Sequence, residues 1–102
     1  MHCLTPEKLL FNDLDDETAK TWVKKLQSHP ASGWDDTITY CGWKDVPSVY
    51  LVCENDGCIP PPLQLQLAKT AGSKIEKCAA GYMAMVSMPE MVVEVIVKAA
   101  QA

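Results

Sequence analysis

A chain of 102 residues has room for one domain and too little length for two. With 48% hydrophobic and 22% charged residues it has the make-up of a packed globular domain, which excludes disorder, a collagen-like repeat and a coiled coil. Nine basic against thirteen acidic residues give a net charge of −4 with no basic cluster, so a phosphate backbone finds no counter-surface and nucleic acid is excluded as a partner.

Thr5-Pro6-Glu7 reads as a helix start, with Thr5 as N-cap and proline in the first turn, and leads into Leu9, Leu10 and Phe11. Asp13 to Glu17 put negative charge at a second start, after which Ala19, Trp22, Val23 and Leu26 form an apolar stripe opposite Lys20, Lys24 and Lys25. The small and polar residues from His29 to Asp36 predict a loop or a single helical turn. Ser48 to Cys53 is a continuous β-rich run between Pro47 and Glu54-Asn55-Asp56-Gly57, the pattern of a strand buried on both faces. From Pro60 the alternation of leucine with glutamine suits a strand, but three prolines at its start and Gly72 at its end favour a helix on Leu63, Leu67 and Ala71. Ser73 to Cys78 reads as a second strand and Gly81 to Val86 as a loop. Ser87-Met88-Pro89-Glu90 has the spacing of a capping box ahead of a helix carrying Met91, Val92, Val95, Ile96 and Ala99 on one face.

The order helix, helix, strand, helix, strand, helix is an α/β pattern, and two parallel strands alone leave unpaired edges that something else must cover. The five cysteines, Cys3, Cys41, Cys53, Cys58 and Cys78, include no C-x-x-C and no neighbouring histidine pair, so spacing offers no metal site; free thiols in a reducing cytoplasm are expected. The first residues lack a basic start and an apolar run, and the apolar C-terminal stretch is interrupted by Glu94 and Lys98, so neither a signal peptide nor a membrane span is expected.

The runs Phe11-Asn12-Asp13-Leu14 and Trp43-Lys44-Asp45-Val46-Pro47-Ser48-Val49-Tyr50-Leu51-Val52-Cys53-Glu54-Asn55-Asp56, the Ile59-Pro60 after them, and Ala80-Gly81 ahead of Ser87-x-Pro89-Glu90 resemble the C-terminal portion of α/β-hydrolase-fold proteins, especially a fungal esterase-like branch. The resemblance covers nearly the whole chain. It implies one truncated α/β-hydrolase-like domain: residues 1–36 as the end of the cap helices, and residues 37–102 as a C-terminal strand-helix-strand-helix unit. The few parallel strands, flanked by helices, would be completed by homodimerisation.

By the same resemblance Asp56 stands where the family keeps its triad acid and Tyr82 where it keeps its histidine. No G-x-S-x-G elbow occurs in these 102 residues, so an ordinary serine hydrolase is not expected. Asp56 is then either an acid/base residue at a strand end or a turn residue of an Asp-Gly pair. Tyr82 is either a proton donor beside it or a ring filling the space of the missing imidazole. Cys58 sits before a helix start, where a thiol pKa can fall, but no base is placed near it. Trp34, Tyr40, Trp43, Cys58, Met83 and Met85 are candidates to line an apolar ligand pocket, the alternative for the methionines being plain surface cover. The expected activity is binding of a small apolar molecule, with isomerisation, cyclisation or dehydration by Asp56 as base and Tyr82 as donor and no cofactor. The competing expectation is a catalytically dead hydrolase relative that docks through its sheet edge onto another protein, such as a full-length hydrolase.

Overall fold

A computed structural model describes residues 4–101 of the chain. His2 and the thiol expected at Cys3 lie outside the described residues. The elements run α1 (Pro6–Leu9), α2 (Asp16–Val23), a 3₁₀ turn (Gly42–Lys44), β1 (Val49–Cys53), α3 (Pro61–Ala71), β2 (Lys74–Cys78), α4 (Ala84–Ser87) and α5 (Pro89–Gln101). β1 and β2 form a two-stranded parallel sheet in the register Val49↔Lys74 to Cys53↔Cys78, joined through α3 as a βαβ unit. This mixture of helices around a parallel pair is compatible with part of an α/β fold. Among the described residues no helix is long and apolar enough to cross a membrane.

The N-terminal helices start where expected, by different means. Pro6 opens α1, but Thr5 has a left-handed backbone, φ 48°, and its side chain makes no capping bond. At α2 the Asp15 carboxylate accepts from the Thr18 amide at 3.1 Å and the Thr18 hydroxyl at 2.7 Å. Those bonds, the hydroxyl's first, hold its carboxyl below the usual range. The helix ends at Val23, so Leu26 falls outside it and is exposed rather than completing the stripe. Trp22 is half-buried, with the Lys25 ammonium 4.7 Å from its ring centre.

Three expectations about the sheet and its helices are corrected. β1 is not buried on both faces: Val52 and Cys53 are buried, while Val49, Tyr50 and Leu51 are half-buried. α3 does not turn its leucines inward. Leu63, Leu65 and Leu67 are exposed, and the inward residues are Gln64 and Ala68. Gln64, 2% exposed, outweighs the leucines because its amide supplies hydrogen bonds that no apolar side chain could make at a strand edge. Finally, the stretch read as a loop at 81–86 contains the start of α4. Ser87 is the last residue of α4, so it cannot cap α5; Met88 takes that place and its carbonyl accepts from the Val92 amide. The Ser87 hydroxyl is buried and has no hydrogen-bond partner among the described residues. The core therefore gathers Cys53, Cys78, Ala80 and Ala84, with Leu51, Met88, Met91 and Val92 packed against them. Of the expected α5 face, Ile96 is exposed, as are the neighbouring Val93 and Val97.

The ladder fixes which backbone groups of β1 are used. The Ser48 carbonyl accepts from Lys74 and the Glu54 amide donates to Cys78, so residues 48, 50, 52 and 54 point their peptide groups at β2. Val49, Leu51 and Cys53 point theirs the other way. On that outer edge the Gln64 side chain takes the place of a neighbouring peptide. Its Oε1 accepts from the Cys53 amide at 2.8 Å and its Nε2 donates to the Cys53 carbonyl at 2.9 Å and the Ile59 carbonyl at 2.8 Å. Truncation to Gln64→Ala would orphan these groups and leave a cavity, and Gln64→Leu would fill the space while still leaving the Cys53 amide unpaired. Both variants should lose about 2–4 kcal/mol of stability in urea denaturation, the leucine no less than half as much as the alanine.

Candidate functional site at the strand ends

Two loops leave the C-terminal ends of β1 and β2, and the segment between α1 and α2 clamps them together. The Asn55 amide donates to the Ala80 carbonyl and the Asn55 side chain to the Ala79 carbonyl at 2.6 Å. Asn12 Nδ2 donates to the Asn55 carbonyl at 2.7 Å, and Asp13 Oδ2 accepts from the Gly81 amide at 2.7 Å. The fit is close enough to dictate glycine at two positions. A Cβ on Gly57 would stand 2.6 Å from the Lys8 carbonyl, and one on Gly81 2.5 Å from Asn12 Oδ1. Phe11, 2% exposed, anchors this segment in the protein interior.

Within that frame Asp56 is half-buried, and its two oxygens do different work. Oδ1 accepts from the Cys58 amide at 2.7 Å and the Ile59 amide at 2.9 Å, which closes the turn into α3. Oδ2 lies 3.4 Å from Gln64 Nε2. That nitrogen has two hydrogens and two nearer acceptors, so Oδ2 keeps most of its accepting capacity. Tyr50, Tyr82, Ile59 and Asp56 share a shallow concavity of about 320 Å³ along the outer edge of β1. No hydrogen bond joins Asp56 to Tyr82 among the described residues. Burial pushes the Tyr50 phenol above its usual range, and the negative charge of Asp56 adds to that.

The other expected ligand residues are not gathered around this hollow. Trp34 lies on a separate surface depression with Ser32 and Ile38, its indole donating to the Pro30 carbonyl at 3.1 Å. Tyr40 is exposed and its hydroxyl is hydrogen-bonded to Asp45, which raises its pKa. Trp43 is half-exposed on the 3₁₀ turn, and Cys58 is exposed on the turn after β1. Met83 and Met85 line a cavity of about 510 Å³ with Phe11, Trp22 and Leu26. A fourth hollow, of about 630 Å³, lies between α1 and α2 over Phe11 and Ala19. Among the described residues no three His, Cys, Asp or Glu side chains group as metal ligands. Sequence reading missed Gln64, Tyr50 and the clamp of Asn12 and Asp13. The clamp and Tyr50 had a signal, because both lie in runs that carry the resemblance, Phe11-Asn12-Asp13-Leu14 and Trp43 to Asp56; Gln64 had none.

No protein-family model matches the chain. Among curated proteins it is similar to the alpha/beta hydrolase nvfD of Aspergillus novofumigatus (strain IBT 16806), at 30% identity over 94 residues. The similarity supports a relation to the α/β hydrolases. It extends over 90% of this chain and 38% of that protein, so the chain spans well under half the length of the relative it matches. A hydrolase-like protein is thus supported on the same stretch that holds the two strands and their loops.

The placement of Asp56 against Tyr50 can be tested without a substrate. Asp56→Asn keeps the oxygen that closes the turn and removes the charge that opposes phenolate formation. The Tyr50 pKa, followed by NMR of its labelled ring, should therefore fall toward the ordinary tyrosine value while the melting temperature changes little. An unmoved Tyr50 titration would separate Asp56 from the hollow.

Proposed function

We propose that this hydrolase-like chain acts by assembly, with a second polypeptide, most simply a second copy, adding a strand along the outer edge of β1. The observation that carries the reading is the unequal use of that edge. Gln64 occupies it at Cys53, whereas the peptide groups of Val49 and Leu51 point away from β2 toward no further strand among the described residues. The exposed Leu63, Leu65 and Leu67 of α3 add apolar surface of the kind that stable interfaces bury. In this reading Asp56 is first of all a turn residue, as its two backbone bonds suggest.

Val49→Pro tests it. Proline there removes only an outward-facing N–H, leaving the β1–β2 ladder intact. The wild-type chain should sediment as a dimer at micromolar concentration. The variant should sediment as a monomer with an unchanged circular dichroism spectrum. A stable wild-type monomer would overturn the proposal.

A second reading is favoured by one observation, the shared hollow of Asp56 and Tyr82 with Oδ2 still able to accept. There the chain binds a small apolar molecule and moves a proton, with Asp56 as base and Tyr82 as donor, toward isomerisation, cyclisation or dehydration. Such chemistry needs no acyl-enzyme and hence no activated serine. A serine-directed fluorophosphonate should leave the protein unlabelled, and stoichiometric labelling of one serine would exclude the non-hydrolytic mechanism.

A further inference from the structure

The outer edge of β1 is closed at both ends and open in the middle. Ser48, Tyr50, Val52 and Glu54 direct their peptide groups at β2, so the outward groups belong to the odd positions. At Cys53 both groups are taken by Gln64, at 2.8 and 2.9 Å. At Pro47, the odd position before Val49, there is no N–H to offer. Between these closed positions stand Val49 and Leu51, whose N–H and C=O groups meet no further strand among the described residues. The Leu51 carbonyl receives a contact at 3.8 Å from the Cys53 thiol, a weak donor. The hollow shared by Asp56, Tyr50, Tyr82 and Ile59 runs along the same edge. We propose, on the basis of the strand addition put forward above, that a second copy pairs antiparallel with this edge in one register, setting Tyr50 against the partner's Tyr50 on the twofold axis, so that a tyrosine from each chain lines the hollow of Asp56.

The register follows from which groups remain to be paired. In an antiparallel pair the reciprocally bonded residues alternate with unbonded ones, and a twofold copy can centre on Val49, Tyr50 or Leu51. Centred on Leu51, the pair sets Val49 opposite the partner's Cys53, whose bonds Gln64 already makes, and the Val49 groups stay unpaired. Centred on Val49, it sets Leu51 opposite the partner's Pro47, and the Leu51 carbonyl finds no N–H. Larger shifts meet Cys53 or Pro47 in the same way. Centred on Tyr50, it sets Val49 opposite the partner's Leu51, and every outward N–H and C=O of both residues is paired. Cys53 then falls opposite the partner's Pro47, so the ladder stops at each end where Gln64 already serves one strand and the other lacks a donor. Tyr50 occupies an unbonded pair, the closer kind, with Cα atoms about 4.5 Å apart and both rings on one face of the sheet. Aromatic pairs across strands stabilise such positions. β1 carries no charge between Val49 and Cys53 to oppose the approach. The hollow is open along this edge, and the partner's strand and tyrosine supply its missing wall.

The test uses the full chain with Cys3, Cys41 and Cys58 replaced by serine, carrying Val49→Cys, Tyr50→Cys or Leu51→Cys in turn and oxidised with diamide at micromolar concentration. Tyr50→Cys should give a disulfide-linked dimer in at least about ten times the yield of the other two, because like residues at Val49 or Leu51 stand two positions out of line, beyond the roughly 7 Å between Cα atoms that a disulfide spans. On the wild-type chain, photo-oxidative tyrosine coupling followed by peptide mass spectrometry should find Tyr50 of one chain joined to Tyr50 of another, a readout independent of how the cysteine variants fold. Sedimentation before oxidation separates two kinds of failure. A wild-type monomer overturns strand addition itself and the register with it. A wild-type dimer that cross-links mainly through Val49→Cys or Leu51→Cys, or that joins Tyr50 to Tyr50 by neither chemistry, leaves strand addition standing and overturns the shared tyrosine site.

Discussion

The site depends on a side chain that behaves like backbone. A primary amide has the same donor and acceptor as a peptide, and Gln64 sets both against Cys53 at the outer edge of β1. Because the amide is carried by α3, the same bonds dock that helix onto the strand, and the remaining bond to the Ile59 carbonyl ties down the loop between them. The rotation that this demands exposes three leucines. Satisfying two buried peptide groups outweighs burying one more aliphatic face, since an unpaired buried amide costs about 1–3 kcal/mol and an exposed leucine on a helix surface is ordinary.

From that fixed point the functional region is assembled by short polar links. Asn12 and Asp13 reach across from the N-terminal helices to the two strand-end loops, with tight approaches at Gly57 and Gly81. Asp56 and Tyr82, separated by 26 positions in the chain, come to one hollow because their loops hang from adjacent parallel strands and are clamped at a single place. Asp56 is thereby divided between a structural oxygen and an available one.

The elements with a periodic or punctuated signal were readable from the sequence. The apolar run of β1, the glycine ending α3, whose φ is 69°, and the acidic start of α2 each follow from local chemistry that the fold leaves undisturbed. What was not readable is the orientation of α3 and the break at Ser87. Leucine–glutamine alternation on a helix identifies an apolar face, and only the position of the strand edge reveals that the polar face is needed inside. Likewise Ser87-x-x-Glu90 has the right spacing for a cap, yet α4 claims Ser87 first. The candidate site was legible at Asp56 and Tyr82 through resemblance alone; Tyr50 looked like one more strand residue, and the tryptophans, being scattered over a surface segment, share no hollow with them.

The two margins of the sheet are chemically unequal. β2 is Lys74-Ile75-Glu76-Lys77-Cys78, three charges in five residues, with Glu76 bridged to Lys98 of α5 at 2.7 Å, while β1 carries no charge between Val49 and Cys53. Lysines along a margin oppose the approach of another strand, and burying them would require desolvation without partners. Polymerisation by edge stacking needs two uncharged margins per unit, and among the described residues the sheet offers one. In the proposed assembly strand addition would therefore be self-terminating: a β1 margin meeting its own twofold copy would close the growth, and the lysine-bearing margins would face outward as the ends of a finite object rather than the seams of a fibre.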